Sequence, residues 1–340
     1  MKLKTTILSA VLATASLVSV QAQAAFECPV PEAKMAAPEG FPTRPLNMVV
    51  PYGPGGGSGQ VAAAMAKAVS ELTGMAINRD HKPGGSGLVG LGAYMAFPAD
   101  GYSVLEHIDD SASAFAVGSS KINPTKDLIP LVTSQITFSQ IYIRSNETRF
   151  KDWAGFIKYV AAQDGKATIA NVSGEGSMER MMLKQVLDQS KAKMQQISFD
   201  KGGPRYAALK GGQVDALFEQ PGDVRGFLDS GDFKPILTLL NERPGAFKDT
   251  PAMNDVGLDI KPLYRFRGFY VKQGVPADRL KYLQWAFQRA FCEDSYQAYN
   301  EKKYMNLINS FRDTDGSVKL INDTVEIYQA LYKELGMIKK

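Results

Sequence analysis

Two glycine-rich turns, each set between an extended apolar run and a helically spaced one, lie within residues 47–110 and restrict this chain more than any other feature. In the first, Asn47-Met48-Val49-Val50 leads through Pro51-Tyr52-Gly53-Pro54-Gly55-Gly56-Gly57-Ser58-Gly59 into residues 60–73, where Val61, Met65, Ala68, Val69 and Leu72 recur at helical spacing. The second repeats the plan with Ala76-Ile77-Asn78, the turn Pro83-Gly84-Gly85-Ser86-Gly87, and a helix over residues 88–97. Glycines after a strand and before a helix let backbone come close to a ligand, and the first N–H groups of the helix stay available to an anion. Such turns suit a phosphate or a carboxylate.

Strand–glycine–helix units continue to about residue 118, which gives one α/β lobe. Residues 128–145 then form a longer extended run, rich in Ile, Val, Phe and Tyr, that carries the chain into a second lobe. There the spacing predicts strands over 167–171, 196–199, 214–218 and 235–240. It predicts helices over 178–189, from Pro204 onward, and through Leu228 with Asp223 as its cap. An extended run over 263–271 makes the return crossing, and amphipathic helices follow over 276–291 and 317–335. The expected fold is α/β: a two-lobe periplasmic-binding-protein-like clamshell with two crossing segments and its ligand cleft between the lobes. The expected boundaries are 46–135 plus 266–340 for the first lobe and 136–265 for the second, after an extended lead-in over 25–45.

Lys2 and Lys4, an apolar stretch over 6–20 and Ala22-Gln23-Ala24 read as a secretory signal peptide over 1–24, and hence as a periplasmic protein. Its removal takes two lysines and no acid, so the formal charge falls from +4 to +2. That balance gives no basis for nucleic-acid binding. The two cysteines, Cys28 and Cys292, can pair in an oxidising compartment or remain as thiols. Two histidines without metal-ligand spacing give no metal site, and no cofactor is expected.

Gly85-Ser86-Gly87-Leu88-Val89-Gly90 matches a dinucleotide fingerprint, with Glu106 at about the acidic spacing, but Arg79 to Pro83 separates it from its strand. A secreted α/β hydrolase is an alternative, since Ser58, Ser86 and Ser177 all lie in glycine-rich turns. None of these serines has the elbow pattern of such a nucleophile. The expectation is a binding protein and not an enzyme.

The runs Val50 to Ser58, Lys82 to Gly87 and Pro98-Ala99-Asp100-Gly101-Tyr102-Ser103-Val104-Leu105 resemble, in order, motifs of the solute-binding receptors of tripartite tricarboxylate transporters, the Bug family. Lys201-Gly202-Gly203-Pro204 with Leu209-Lys210-Gly211-Gly212-Gln213-Val214-Asp215 resembles the family's second-lobe signature. The resemblance implies capture of a small organic carboxylate, delivery to the transporter's membrane subunits, and a monomer. A receptor serving a sensor kinase is the alternative role. By carry-over, Tyr52, Gly56, Ser58, Gly85, Ser86, Ser177 and Gly203 surround the ligand, with Gly55, Ser173 and Gly176 in the same four turns. Asp109, in a turn that in the family faces the cleft, and Phe218, at a strand end, are further candidates, with core packing the alternative for Phe218. Glu175, Glu179 and Arg180 depart from the family's pattern. They are expected to be solvated or mutually paired, and a ligand with an amino group is implied if one faces the cleft.

Overall fold

The computed structural model describes residues 28–31, 34–172, 174 and 176–336. The expected signal peptide lies outside these residues, as do Ser173 and Glu175. Among the described residues no helix is long and apolar enough to cross a membrane.

The chain forms two five-stranded sheets built to one plan. The first contains β1 (Leu46–Val50), β2 (Ile77–His81), β3 (Ser103–Ile108), β4 (Leu128–Thr137) and, from the far end of the chain, β10 (Arg265–Lys272), in the order β2-β1-β3-β10-β4. The second contains β5 (Gln140–Arg144), β6 (Thr168–Asn171), β7 (Gln195–Ser198), β8 (Ala216–Glu219) and β9 (Phe233–Thr238), in the order β7-β6-β8-β5-β9. In each, three parallel strands meet one antiparallel strand that has just crossed from the other lobe, β10 in the first and β5 in the second. Helices α1 (Gly57–Thr73), α2 (Leu88–Met95) and α3 (Asp110–Ala116) follow β1, β2 and β3. Helices α4 (Trp153–Ala162), α5 (Met178–Gln189), α6 (Gly202–Lys210) and α7 (Arg225–Asp229) belong to the second lobe. The tail adds α8 (Ala277–Phe291), α9 (Asp294–Lys302) and α10 (Thr314–Glu334).

The expected stripe of α1 is the buried one: Val61, Met65, Ala68 and Val69 are inaccessible and Leu72 packs at their edge against α8, whose Leu283, Phe287, Ala290 and Phe291 fill the same core. Cys28 and Cys292 form a disulfide with Cα atoms 5.4 Å apart, which ties the N-terminal lead-in to the end of α8.

Three features differ from the expectations. The extended run over 128–145 is two strands in different sheets, broken at Phe138-Ser139, because one strand cannot pair in both lobes. The expected lobe boundaries accordingly cut off Ile136, Thr137 and Arg265, which pair within the first sheet. The last helix serves both lobes: Ile321 packs in a first-lobe cluster, whereas Tyr328 and Tyr332 are buried in the core cluster of the second.

Candidate functional site

The six turns that leave the C-terminal ends of the parallel strands face one another across the lobe boundary. The first lobe contributes the β1–α1 turn, the β2–α2 turn and Asp109; the second contributes those after β6, β7 and β8. They are in contact. The backbone N–H of Gly174 donates to Ser86 Oγ at 2.6 Å, and Gly53 lies against the Lys201 side chain. The starts of α1 and α6 approach so closely that a Cβ on Gly202 would sit 2.9 Å from Gly56 Cα. The lobes are therefore closed on each other.

Two cavities lie between these turns. One, of about 240 Å³, is bordered by Gly85, Ser86, Asp110, Ser113, Gly174 and Ser177. Ser177 is the N-cap of α5 and its hydroxyl accepts from the Arg180 N–H, so the helix N-terminus opens at this cavity. Ser86 holds a left-handed conformation, φ 57°, which for a serine costs on the order of 1–3 kcal/mol. The other cavity, of only about 30 Å³, lies among Tyr52, Gly56, Ser58, Arg205, Arg265 and Arg267. A larger groove of about 830 Å³ beside Phe291, Asn300, Met305 and Phe311 contains none of the glycine turns.

Between the lobes lies a buried ionic cluster of Arg205, Arg265, Arg267, Glu106, Asp109, Asp110, Glu179, Glu219 and Asp223. Arg265, on β10, binds Asp109 at 2.8 Å, Asp110 at 3.2 Å and Glu179 of the opposite lobe. Two residues along the same strand, Arg267 binds Asp223 of the opposite lobe at 2.5 Å. Arg205 pairs with Glu219 inside the second lobe. Tyr52 donates its hydroxyl to Asp110 at 3.0 Å, and Tyr328 donates to Asp109 at 3.1 Å. Glu106 is the exception: among the described residues neither carboxylate oxygen closes a hydrogen bond, although Arg267 and the Ser58 hydroxyl are near enough to temper its charge. Burial pushes its carboxyl up to about 8. Burial likewise raises Asp109 to about 6 and Glu179 to about 7, with Arg265 opposing the shift in both. His107 is pushed down by the same burial and stays neutral.

Of the expected site residues, Gly85, Ser86 and Ser177 border the larger cavity and Tyr52, Gly56 and Ser58 the smaller. Gly55 and Gly203 meet across the boundary at the exposed lip. Gly176 is turned away; its carbonyl accepts from Tyr332. Two expectations need correction. Asp109 borders neither cavity, because Arg265 and Tyr328 hold it beneath Asp110. Phe218 lies in the second-lobe core at 1% exposure, the packing role that its strand position also allowed.

Glu179 is not solvated, because Arg265 reaches it from the other lobe. Arg180 reaches the Gln196 carbonyl and Ser198. Asp223 does not cap a helix, since Arg267 takes its carboxylate and Val224 occupies the N-cap position. Sequence reasoning missed Arg265 and Arg267 altogether. Their signal was an i, i+2 pair of arginines at the start of a strand that is apolar from Gly268 to Val271, which puts both charges on one face.

Among the described residues the hydrolase alternative finds no serine paired with a histidine. His81 Nδ1 lies 2.8 Å from the Tyr52 carbonyl and His107 Nδ1 is engaged by the backbone of Ile108; among the described residues neither imidazole meets a serine hydroxyl.

Residues 60–337 match the model of the tripartite tricarboxylate transporter family receptor. Protein BugT of Bordetella pertussis is 25% identical over 233 residues, 66% of this chain and 70% of BugT. Among solved structures, MatC of Rhodopseudomonas palustris with bound malate aligns over 86% of this chain and 99% of its own, with 21% identity and a TM-score of 0.76. The R. palustris protein Rpa4515 with adipate aligns over 87% and 97%, with 17% identity and a TM-score of 0.75. The family match spans most of the chain, and the protein belongs to the tripartite tricarboxylate transporter receptor family.

Proposed function

We propose that this protein is a periplasmic solute receptor that encloses a small organic carboxylate between its lobes and presents the closed form to the membrane subunits of a tripartite tricarboxylate transporter. The observation that carries the reading is the cavity of about 240 Å³ at the lobe boundary, where the N-terminus of α5, Ser177, Ser86 and the Gly85 turn converge. Neutral donors at a helix N-terminus hold a carboxylate without an arginine clamp. The arginines at the boundary are already taken by acids. MatC and Rpa4515, which share the fold, are carboxylate-bound proteins.

Ligand capture then works by population shift. A ligand touching both lobes stabilises closure by its differential affinity for the closed state, and the closed surface is the signal to the transporter. The Cys28–Cys292 disulfide suits an oxidising compartment, and a monomer in which one chain supplies the whole cleft suits the role.

Isothermal titration of the mature protein with small carboxylates tests the reading. One-to-one saturable binding without chemical change of the ligand supports it. Turnover of the ligand, or no binding to any carboxylate-bearing compound, overturns it.

A further inference from the structure

Arg267 has two acids near it and binds only one. Its guanidinium meets Asp223 of the opposite lobe at 2.5 Å and, in its own lobe, the neutral Gln135 side chain at 3.0 Å. The pair presses on the start of α1, where a Cβ on Gly57 would overlap both Arg267 and Asp223. Glu106 is the unused acid. Its strand pairing sets it opposite Phe269, on the face of the sheet that also carries Arg267, at a diagonal spacing that a long side chain spans. Among the described residues both Glu106 oxygens and the Arg267 Nε are buried without a hydrogen-bond partner. An acid and a donor therefore stand idle on one face. Arg265 differs, since it binds Asp109 and Asp110 of its own lobe besides Glu179.

We propose that Arg267 is a charge switch between two forms of the receptor, bound to Asp223 when the lobes close and to Glu106 when they part. The proposal rests on the receptor reading above and adds how closure is controlled. Parting the lobes takes Asp223 away from Arg267, and Glu106 is then the acid on its own face. Closure removes that cation from Glu106 and leaves the acid buried, a setting that favours the neutral carboxyl. The closed fold accordingly holds Glu106 at about 8, with burial the largest cause. The other charges that face it are Arg265 and Asp223. The phenols of Tyr52, Tyr270, Tyr296 and Tyr299 around it are themselves pushed up by burial and stay neutral. Asp223 faces Glu219, Arg205 and Lys303 in addition to Arg267. Closure near neutral pH therefore takes up a proton from solvent on Glu106, and ligand affinity falls as pH rises toward 8.

The test follows Glu106 by carbon-13 NMR of the glutamate carboxyls, its signal assigned by its loss in Glu106→Gln. Three ligand-free proteins are compared, each disulfide-bonded and checked for a native melting transition. Gly53→Cys with Lys201→Cys locks the lobes closed, since a Cβ on Gly53 would lie 3.4 Å from that of Lys201, close to the span of a disulfide. Asp223→Asn removes the second-lobe acceptor. Gly202→Ala holds the lobes apart without touching either acid. Glu106 should titrate at about 8 in the locked protein and at about 5 or below in the other two.

Titration at about 8 in folded Asp223→Asn, or in a Gly202→Ala protein of enlarged radius of gyration, overturns the switch. With whichever of succinate, malate or adipate binds in calorimetry, affinity should fall about threefold from pH 7.5 to 8.5 in wild type and stay level in Glu106→Gln. An equal fall in both proteins overturns the proton uptake. Failure to bind any carboxylate-bearing compound overturns the receptor reading instead, and the ligand-free titration decides the switch on its own.

Discussion

The guanidinium of Arg265, on the last strand of the first sheet, binds the carboxylate of Glu179, in the first turn of a second-lobe helix, and both side chains are buried at the boundary between the lobes. A second pair, Arg267 with Asp223, crosses the same boundary. Closure in this protein therefore brings charge together as well as glycine turns.

Replacing Arg265 by Met leaves Asp109, Asp110 and Glu179 buried without their shared cation. Losing one partner of a buried pair costs about 3–5 kcal/mol. Denaturant unfolding should show a loss of that order at pH 8 and a smaller one at pH 5, where Asp109 and Glu179 are protonated. A loss below about 1 kcal/mol at pH 8 would show that the cluster does not depend on Arg265.

Stability should fall as pH rises from about 5 to 8. Glu106, at about 8 in the fold, binds its proton more tightly than an unfolded glutamic acid near 4.3, so the folded state holds more protons across this window. Glu179 and Asp109 contribute in the same direction up to about 7 and 6. The sign is fixed: a raised carboxyl stabilises at low pH and loses that contribution as pH climbs through its folded value. Melting midpoints measured across the range should decline, and Glu106→Gln should flatten the upper part. A rising midpoint would contradict the burial of these acids.

Gly202→Ala introduces a methyl that meets Gly56 Cα only when the lobes are closed. Gly202 has no left-handed φ and sits in a helical turn, and within its own lobe the methyl presses on the edge of the Tyr206 ring, 3.1 Å away, so the fold should lose no more than about 1 kcal/mol. Affinity for the ligand should drop tenfold or more, with a larger radius of gyration under saturating ligand than wild type in small-angle scattering. Wild-type affinity would mean that this approach of the two turns is not needed for closure.

Reducing the Cys28–Cys292 bond, or replacing both residues by Ser, removes a link across 264 residues. The expected loss is about 2–4 kcal/mol, seen as a lower melting midpoint with reductant in wild type and no further effect of reductant in the variant. A midpoint insensitive to reductant would show that the bond adds no stability.

Local pattern made much of the fold legible. The expected helix over 178–189 has those bounds in the structure, and the apolar spacing in α1 named the residues that meet α8. What stayed hidden was long-range. Asp223 precedes a helical pattern as a cap would, but its partner, Arg267, is 44 residues away in the other lobe. Glu179 in a first helical turn is favourable for the helix dipole alone, so nothing local signalled Arg265, 86 residues on. The break at Phe138-Ser139 was concealed because both flanking strands share one apolar, extended composition. In the site, the glycine turns were readable from spacing, whereas the acids behind them depend on which side chains closure buries.

The most direct measurement is a calorimetric titration of the mature, disulfide-bonded protein with small carboxylate-bearing metabolites, zwitterions included, with scattering recorded on the same samples. The account predicts one ligand per chain, a negative heat-capacity change as the lobes bury surface, and a more compact saturated form. Chemical conversion of the ligand, or a folded protein that binds no carboxylate-bearing compound, would contradict it.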